Sequence, residues 1–164
     1  YGPSIQSLHF IMLRTITNLV AEGQKEKAMK MCQKYFEVFP QMNFEYNYYQ
    51  VAIADQMVKM GEYSAAKPYL EAVAEETIDN LDFFKTNGIL EAAEINSQAD
   101  YMIRRGELTE SQFERLEDYG FSRDALLAQK TLNDIIKSVK SSKQDDEYAS
   151  ELQRILDDNS QLNQ

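Results

Sequence analysis

Apolar positions recur at intervals of three and four along almost the whole chain, and no stretch alternates in twos. This pattern predicts helices throughout. From about Ser4 to Glu22, Ile5, Leu8, Met12, Ile16 and Leu19 share one predicted inward face. Gly23 closes that segment, since glycine readily takes the left-handed conformation that ends a helix. A second helix spans about Glu26 to Phe39, with Ala28, Met31, Cys32, Tyr35, Val38 and Phe39 inward and Pro40 as its stop. A third, about Tyr46 to Met60, turns Tyr49, Ile53, Met57 and Met60 inward before Gly61. The fourth begins near Ser64, buries Ala66, Tyr69, Leu70, Val73 and Ile78, and closes near Asn80. Pro68 falls beyond its first turn, where a missing N–H costs about 3 kcal/mol. A local kink or a late start is therefore expected.

A fifth helix is expected over about Leu81 to Arg105, carrying Phe84, Gly88, Ile95, Ala99 and Met102 and stopping at Gly106. Thr109 to Gln112, "TESQ", has the spacing of a capping box for a short helix that ends at Gly120. Ser122 is placed to cap the next helix, which reaches about Lys140. In the last, Tyr148, Leu152, Ile155 and Leu156 face inward, while Asp145, Asp146 and Glu147 occupy the first turn, where the helix dipole favours anions. Residues 159–164 read as a frayed tail.

Two of these segments echo each other. Gly23 is followed five residues on by Ala28, and 38 residues later Gly61 is followed by Ala66 at the same spacing. A glycine at a tight turn and a small residue just beyond it let two helices of a hairpin approach closely. Ala54 and Ala99 stand seven residues before Gly61 and Gly106 and offer the same small contact from the preceding helix. The pattern resembles the tetratricopeptide repeat, with Ala28 and Ala66 at the small position of the second helix and Pro40 at its closing proline. It departs from that family in its period, about 34 residues in the family, in Ile16 at a position where a small residue is usual, and in Ser111 five residues after Gly106.

The resemblance implies an all-α, right-handed stack of antiparallel helix pairs with an irregular helical C-terminal cap. The chain then reads as one domain over residues 1–164: a first pair at 4–40, a second at 46–80, and a degenerate third pair with capping helices at 81–158. The stretches "EGQKEKAMKMCQKYFEVFP" and "YNYYQVAIADQMVKMGEYSAAKPYLE" are also similar to the C-terminal soluble region of large bacterial multi-pass membrane proteins with glycosyltransferase-like N-terminal parts. That likeness implies a soluble domain tethered at the bacterial inner membrane, with the upstream membrane region of the same polypeptide as a candidate partner.

The formal charge of −10 excludes nucleic acid as an expected partner, because phosphate binding needs clustered Lys and Arg. The same charge disfavours an anionic membrane surface. The longest apolar run, Phe10 to Leu13, is far short of the roughly 18 residues of a membrane span, so no direct insertion is expected. The N-terminal residues also lack the basic region and long apolar stretch of a secretory leader.

Candidate chemistry is sparse. His9 is the single histidine and Cys32 the single cysteine. A Cys32–His9 dyad is conceivable, yet Cys32 lies on the apolar face of its helix and reads as a small core hydrophobe. The carboxylate pairs Glu75–Glu76, Glu91–Glu94 and Asp157–Asp158 fit exposed helix faces better than an acid–base pair held across a cleft. No phosphate loop, calcium loop or dinucleotide fingerprint occurs, so no catalytic residue, metal or cofactor is expected.

The expected role is a non-catalytic protein–protein interaction or scaffolding module. The alternative is a small-ligand-binding or enzymatic domain that uses acidic residues. In stacked helix pairs, the first helix of each pair lines a concave groove for a protein or peptide partner. This nominates Leu13, Arg14 and Thr17, then Tyr48, Val51 and Asp55. In the tyrosine-rich "NFEYNYYQ" (43–50) one helix cannot bury Phe44, Tyr46 and Tyr48 together; its rings suit packing between pairs or contact with a partner. Phe10 and Leu13 point away from the predicted inward face, which leaves an interface for an intrachain helix, the upstream region or a second copy.

Overall fold

Three helix-to-helix turns organise the described residues. The computed structural model describes residues 4–39, 47–90 and 122–160. Among them lie six α-helices and no strand: α1 (Ile5–Ala21), α2 (Lys25–Val38), α3 (Asn47–Lys59), α4 (Tyr63–Thr86), α5 (Ser122–Ser142) and α6 (Asp146–Asp158). The all-α expectation holds.

The turns between α1 and α2 and between α3 and α4 are built alike. Gly23 and Gly61 sit at φ +74° and +83°. The next amide reaches back to close the helix end, Gln24 N to Leu19 O at 2.8 Å and Glu62 N to Met57 O at 3.0 Å. In both returning helices the fourth residue is an alanine, Ala28 or Ala66, with no exposed surface.

The turn from α5 to α6 is related but closes differently, the Gln144 amide donating to Ser142 Oγ at 3.2 Å instead of to a helix carbonyl. Lys143 takes the left-handed conformation at φ +56°, and Ala149 is the buried fourth residue of α6. The amides of Ala28, Ala66 and Ala149 bond to Gln24, Glu62 and Asp145 carbonyls at 3.0, 3.1 and 3.1 Å. The degenerate unit expected after Gly106 lies outside the described residues, with Ile95, Ala99, Met102, Thr109–Gln112 and Gly120, as do Pro40, Phe44 and Tyr46.

Each hairpin packs on the next. α1 touches α2 and α3, α3 touches α4 and α5, α4 touches α5, and α5 touches α6. The central α3 is therefore buried on most sides, through Val51, Ile53, Ala54, Met57 and Val58, and α5 adds Ala128, Leu132, Ile135, Ile136 and Val139. Polar contacts join the three turn ends: Lys25 to Glu62 at 2.7 Å, and Tyr63 and Lys67 to Asp145 at 2.9 and 2.7 Å. At the opposite end Lys85 donates to the Asp158 carbonyl and Gln129 to the Asn159 carbonyl.

Several expectations change. The core face of α1 is rotated: His9 and Ile16 are buried with Leu13 and Val20 beside them, whereas Ile5 and Leu8 are exposed. The three-and-four period is right, but α2 and α3 pack on the neighbouring flank of the helix. Val38 is 47% exposed and Phe36 is buried in its place, its ring stacked on Tyr69 at 3.6 Å. α4 runs on to Thr86 because Leu70, Val73, Thr77, Leu81 and Phe84 continue one buried face; Gly88, at φ +70°, makes the break. Pro68 does not delay its start, since both Pro68 and Ser64, whose carbonyl loses a donor, face solvent. α5 starts at Ser122 as its first helical residue. Asn159 is not frayed: it is buried and its side chain bonds the Ile155 carbonyl at 2.9 Å.

Candidate interaction groove

A groove of about 400 Å³ runs between α3 and α5. Tyr48, Val51, Asp55 and Lys59 come from α3, one helical turn apart, and Asp134, Lys137, Ser138 and Ser141 answer from α5. Val51 and Ala52 make an apolar floor, and Tyr48, 51% exposed, stands at one end. Three of its charged groups, Asp55, Lys59 and Asp134, are already committed. Asp55 accepts from Ser138 Oγ at 2.8 Å and pairs with Lys59 at 2.9 Å. Asp134 pairs at 2.8 Å with Lys130, whose ammonium also lies 5.4 Å from the Tyr48 ring centre. Lys137 makes no ion pair among the described residues, so one cation faces the groove without a fixed counter-charge.

Of the six groove residues named from sequence, the structure brings together Tyr48, Val51 and Asp55. The three from α1 are elsewhere. Leu13 packs against the core, Arg14 is exposed, and Thr17 is exposed with its hydroxyl donating to the Leu13 carbonyl at 2.9 Å. The interface pair also separates. Phe10 is 53% exposed and, with Gln6, Ser7, Ile11 and Tyr49, lines a hollow of about 360 Å³, whereas Leu13 is core-facing. The helix rotation that exposes Ile5 and Leu8 accounts for both differences. Sequence reasoning missed the α5 side of the groove; the signal was the apolar column of α5, which its i, i+3, i+4 spacing displays.

The single histidine and the single cysteine are both buried. His9 Nδ1 is 2.8 Å from the Tyr35 hydroxyl, with the His9 ring stacked on Phe39 and Tyr49; burial holds its pKa below the ordinary histidine value. Burial pushes the Cys32 thiol up to about 11, which leaves almost no thiolate near neutrality. Around Asp145, the Lys67 ammonium and then the Tyr63 hydroxyl hold its carboxyl below the usual range. Burial first, and Asp145 second, raise the Tyr63 phenol. Asp145 also accepts from the Tyr148 amide at 3.3 Å as the N-cap of α6, so this cluster fastens the third turn to the second. No group of three or more His, Cys, Asp or Glu among the described residues is placed to hold a metal ion, and no described helix is long and apolar enough to cross a membrane. Asn47 and Gln50 of α3 are buried polar residues whose side-chain carbonyls have no hydrogen-bond partner among the described residues.

Comparison of the chain with protein-family models, curated proteins and solved structures gave no match.

Proposed function

We propose that the chain is a non-catalytic interaction module, a tetratricopeptide-like right-handed stack of three helix hairpins that takes an extended peptide segment in the α3–α5 groove. The observation that carries this reading is the groove itself: an apolar floor, a tyrosine at one end and one uncommitted ammonium, Lys137, on a rigid two-helix frame. A groove of that kind favours an extended segment with an apolar residue on Val51 and a carboxylate at Lys137. Because Lys59 is tied to Asp55, the site lacks a second cation to clamp a chain terminus, so an internal segment suits it better. The likeness to membrane-associated bacterial proteins makes a segment of the same larger polypeptide one natural occupant.

Selection from a random displayed-peptide library tests the reading. Peptides enriched on the parent chain should shift the amide resonances of Val51, Asp55 and Ser138 and lose binding to Lys137→Glu. Peptides that bind equally well to Lys137→Glu, or a library that yields none, would contradict it.

A further inference from the structure

The outer flank of α1 is apolar and stays exposed among the described residues. Ile5, Leu8 and Ile11 are 59%, 39% and 53% exposed. At 100° per residue they fall within an arc of about 120°, about a quarter turn from the buried side formed by His9 and Ile16. Met12 and Leu19, both half-buried, fall inside the same arc, and Met12 reaches the core from it. These residues carry the three-and-four spacing of a helix that packs against something. Val38 stands near one end of the flank: it is 47% exposed and adjoins Phe39, whose ring stacks on His9.

Charge selects the occupant. The protein carries −10, yet residues 1–21 contain no acidic residue and one base, Arg14. Two copies of so acidic a chain repel each other over most of their surface and can meet on this flank at least cost. A basic partner would be drawn to the acidic remainder and would find no carboxylate here. An isologous contact also needs a patch that complements itself, and an apolar, nearly uncharged helix flank does so. We infer that a second copy of this chain docks here, α1 against α1 about a two-fold axis, with Ile5, Leu8 and Ile11 at its centre. The helix is about 25 Å long. The contact is therefore at the small end of the range for protein pairs, where about 800 Å² per partner is standard, and it dissociates on dilution.

This inference does not use the α3–α5 groove, and the two fail separately. Sedimentation velocity from about 5 to about 500 μM, a span that brackets weak association, tests it with Leu8→Glu/Ile11→Glu, the milder Leu8→Ser/Ile11→Ser, and Phe83→Ser as an exposed control on α4. The parent should move from monomer toward dimer as concentration rises, and more readily in higher salt, which screens the repulsion between two −10 chains. Phe83→Ser should follow the parent, while both double variants stay monomeric with unchanged helical dichroism. A parent that is monomeric throughout would overturn the inference. So would dimers that persist in the glutamate variant, dimers that dissociate in higher salt, or loss of helicity in both double variants, which would mark the flank as covered by its own chain.

Discussion

The first and third hairpins both turn through a left-handed residue into a buried alanine, yet their outer faces differ. At the α1 end, Ile5, Leu8, Phe10, Ile11 and Val38 are large apolar side chains left exposed. On α5 and α6 no described large apolar side chain is exposed, and the outer positions of α6 are Glu147, Ser150, Glu151, Arg154 and Asp158. Stacked hairpins need a polar outer face at each end to stay single in water. One end of this chain has such a face and the other has an apolar helix flank. The difference separates two kinds of helix face that look alike in a hydrophobic pattern: one that closes a core and one that stays exposed.

The largest expected loss comes from the interior of the open end. Tyr35→Ala removes a fully buried ring and the hydroxyl partner of His9, and should cost about 3–5 kcal/mol in chemical denaturation. Cys32, inert in the parent at pH 8, should then label with a thiol reagent. Rapid labelling of the parent itself would show that the first hairpin is not closed. Next, Ala66→Leu and Ala149→Leu should each cost about 1–3 kcal/mol by overpacking a close helix approach. If Ala149→Leu melts like the parent while Ala66→Leu does not, the third hairpin is not the equal of the second.

The polar tie between the second and third turns is worth less. Asp145→Ala should cost about 0.5–2 kcal/mol as a lost cap. The folded Asp145 pKa is depressed, so its contribution is present above the ordinary carboxylate pKa and disappears as pH falls through the folded value. The variant and parent should therefore converge in acid; a gap that widens on acidification would contradict the assignment. The smallest effect tests the turns themselves. Lys143→Gly should raise stability by up to about 1 kcal/mol, because glycine holds the left-handed conformation without the crowding of a Cβ. Gly61→Ala should lower it by a similar amount through backbone strain alone, since a Cβ there meets no atom within 4 Å.

Much of the fold was legible because glycine and alanine at fixed spacing have one structural use in a helical hairpin, and Gly23–Ala28 and Gly61–Ala66 advertise it. The third hairpin was hidden by two local changes: lysine replaces glycine at the left-handed position, and Gln144 lengthens the turn by one residue before the Asp145 cap. The rotation of α1 was hidden for a different reason. With Leu8, Ile11, Leu13 and Ile16 spread around the helix, periodicity finds more than one apolar face, and only the positions of α2 and α3 decide which is buried. Half of the groove was readable from α3; its other wall depends on α5 returning from more than 60 residues away, which local spacing does not encode.

Hydroxyl-radical footprinting of the parent chain, read residue by residue at low and high protein concentration, tests the open-end account most directly. In dilute solution Ile5, Leu8 and Ile11 should oxidise readily while Leu132, Ile136 and Leu152 stay protected, and concentrating the sample should protect Ile5, Leu8 and Ile11. Protection of Leu8 and Ile11 in the dilute monomer, or oxidation of Leu152 to match theirs, would contradict it.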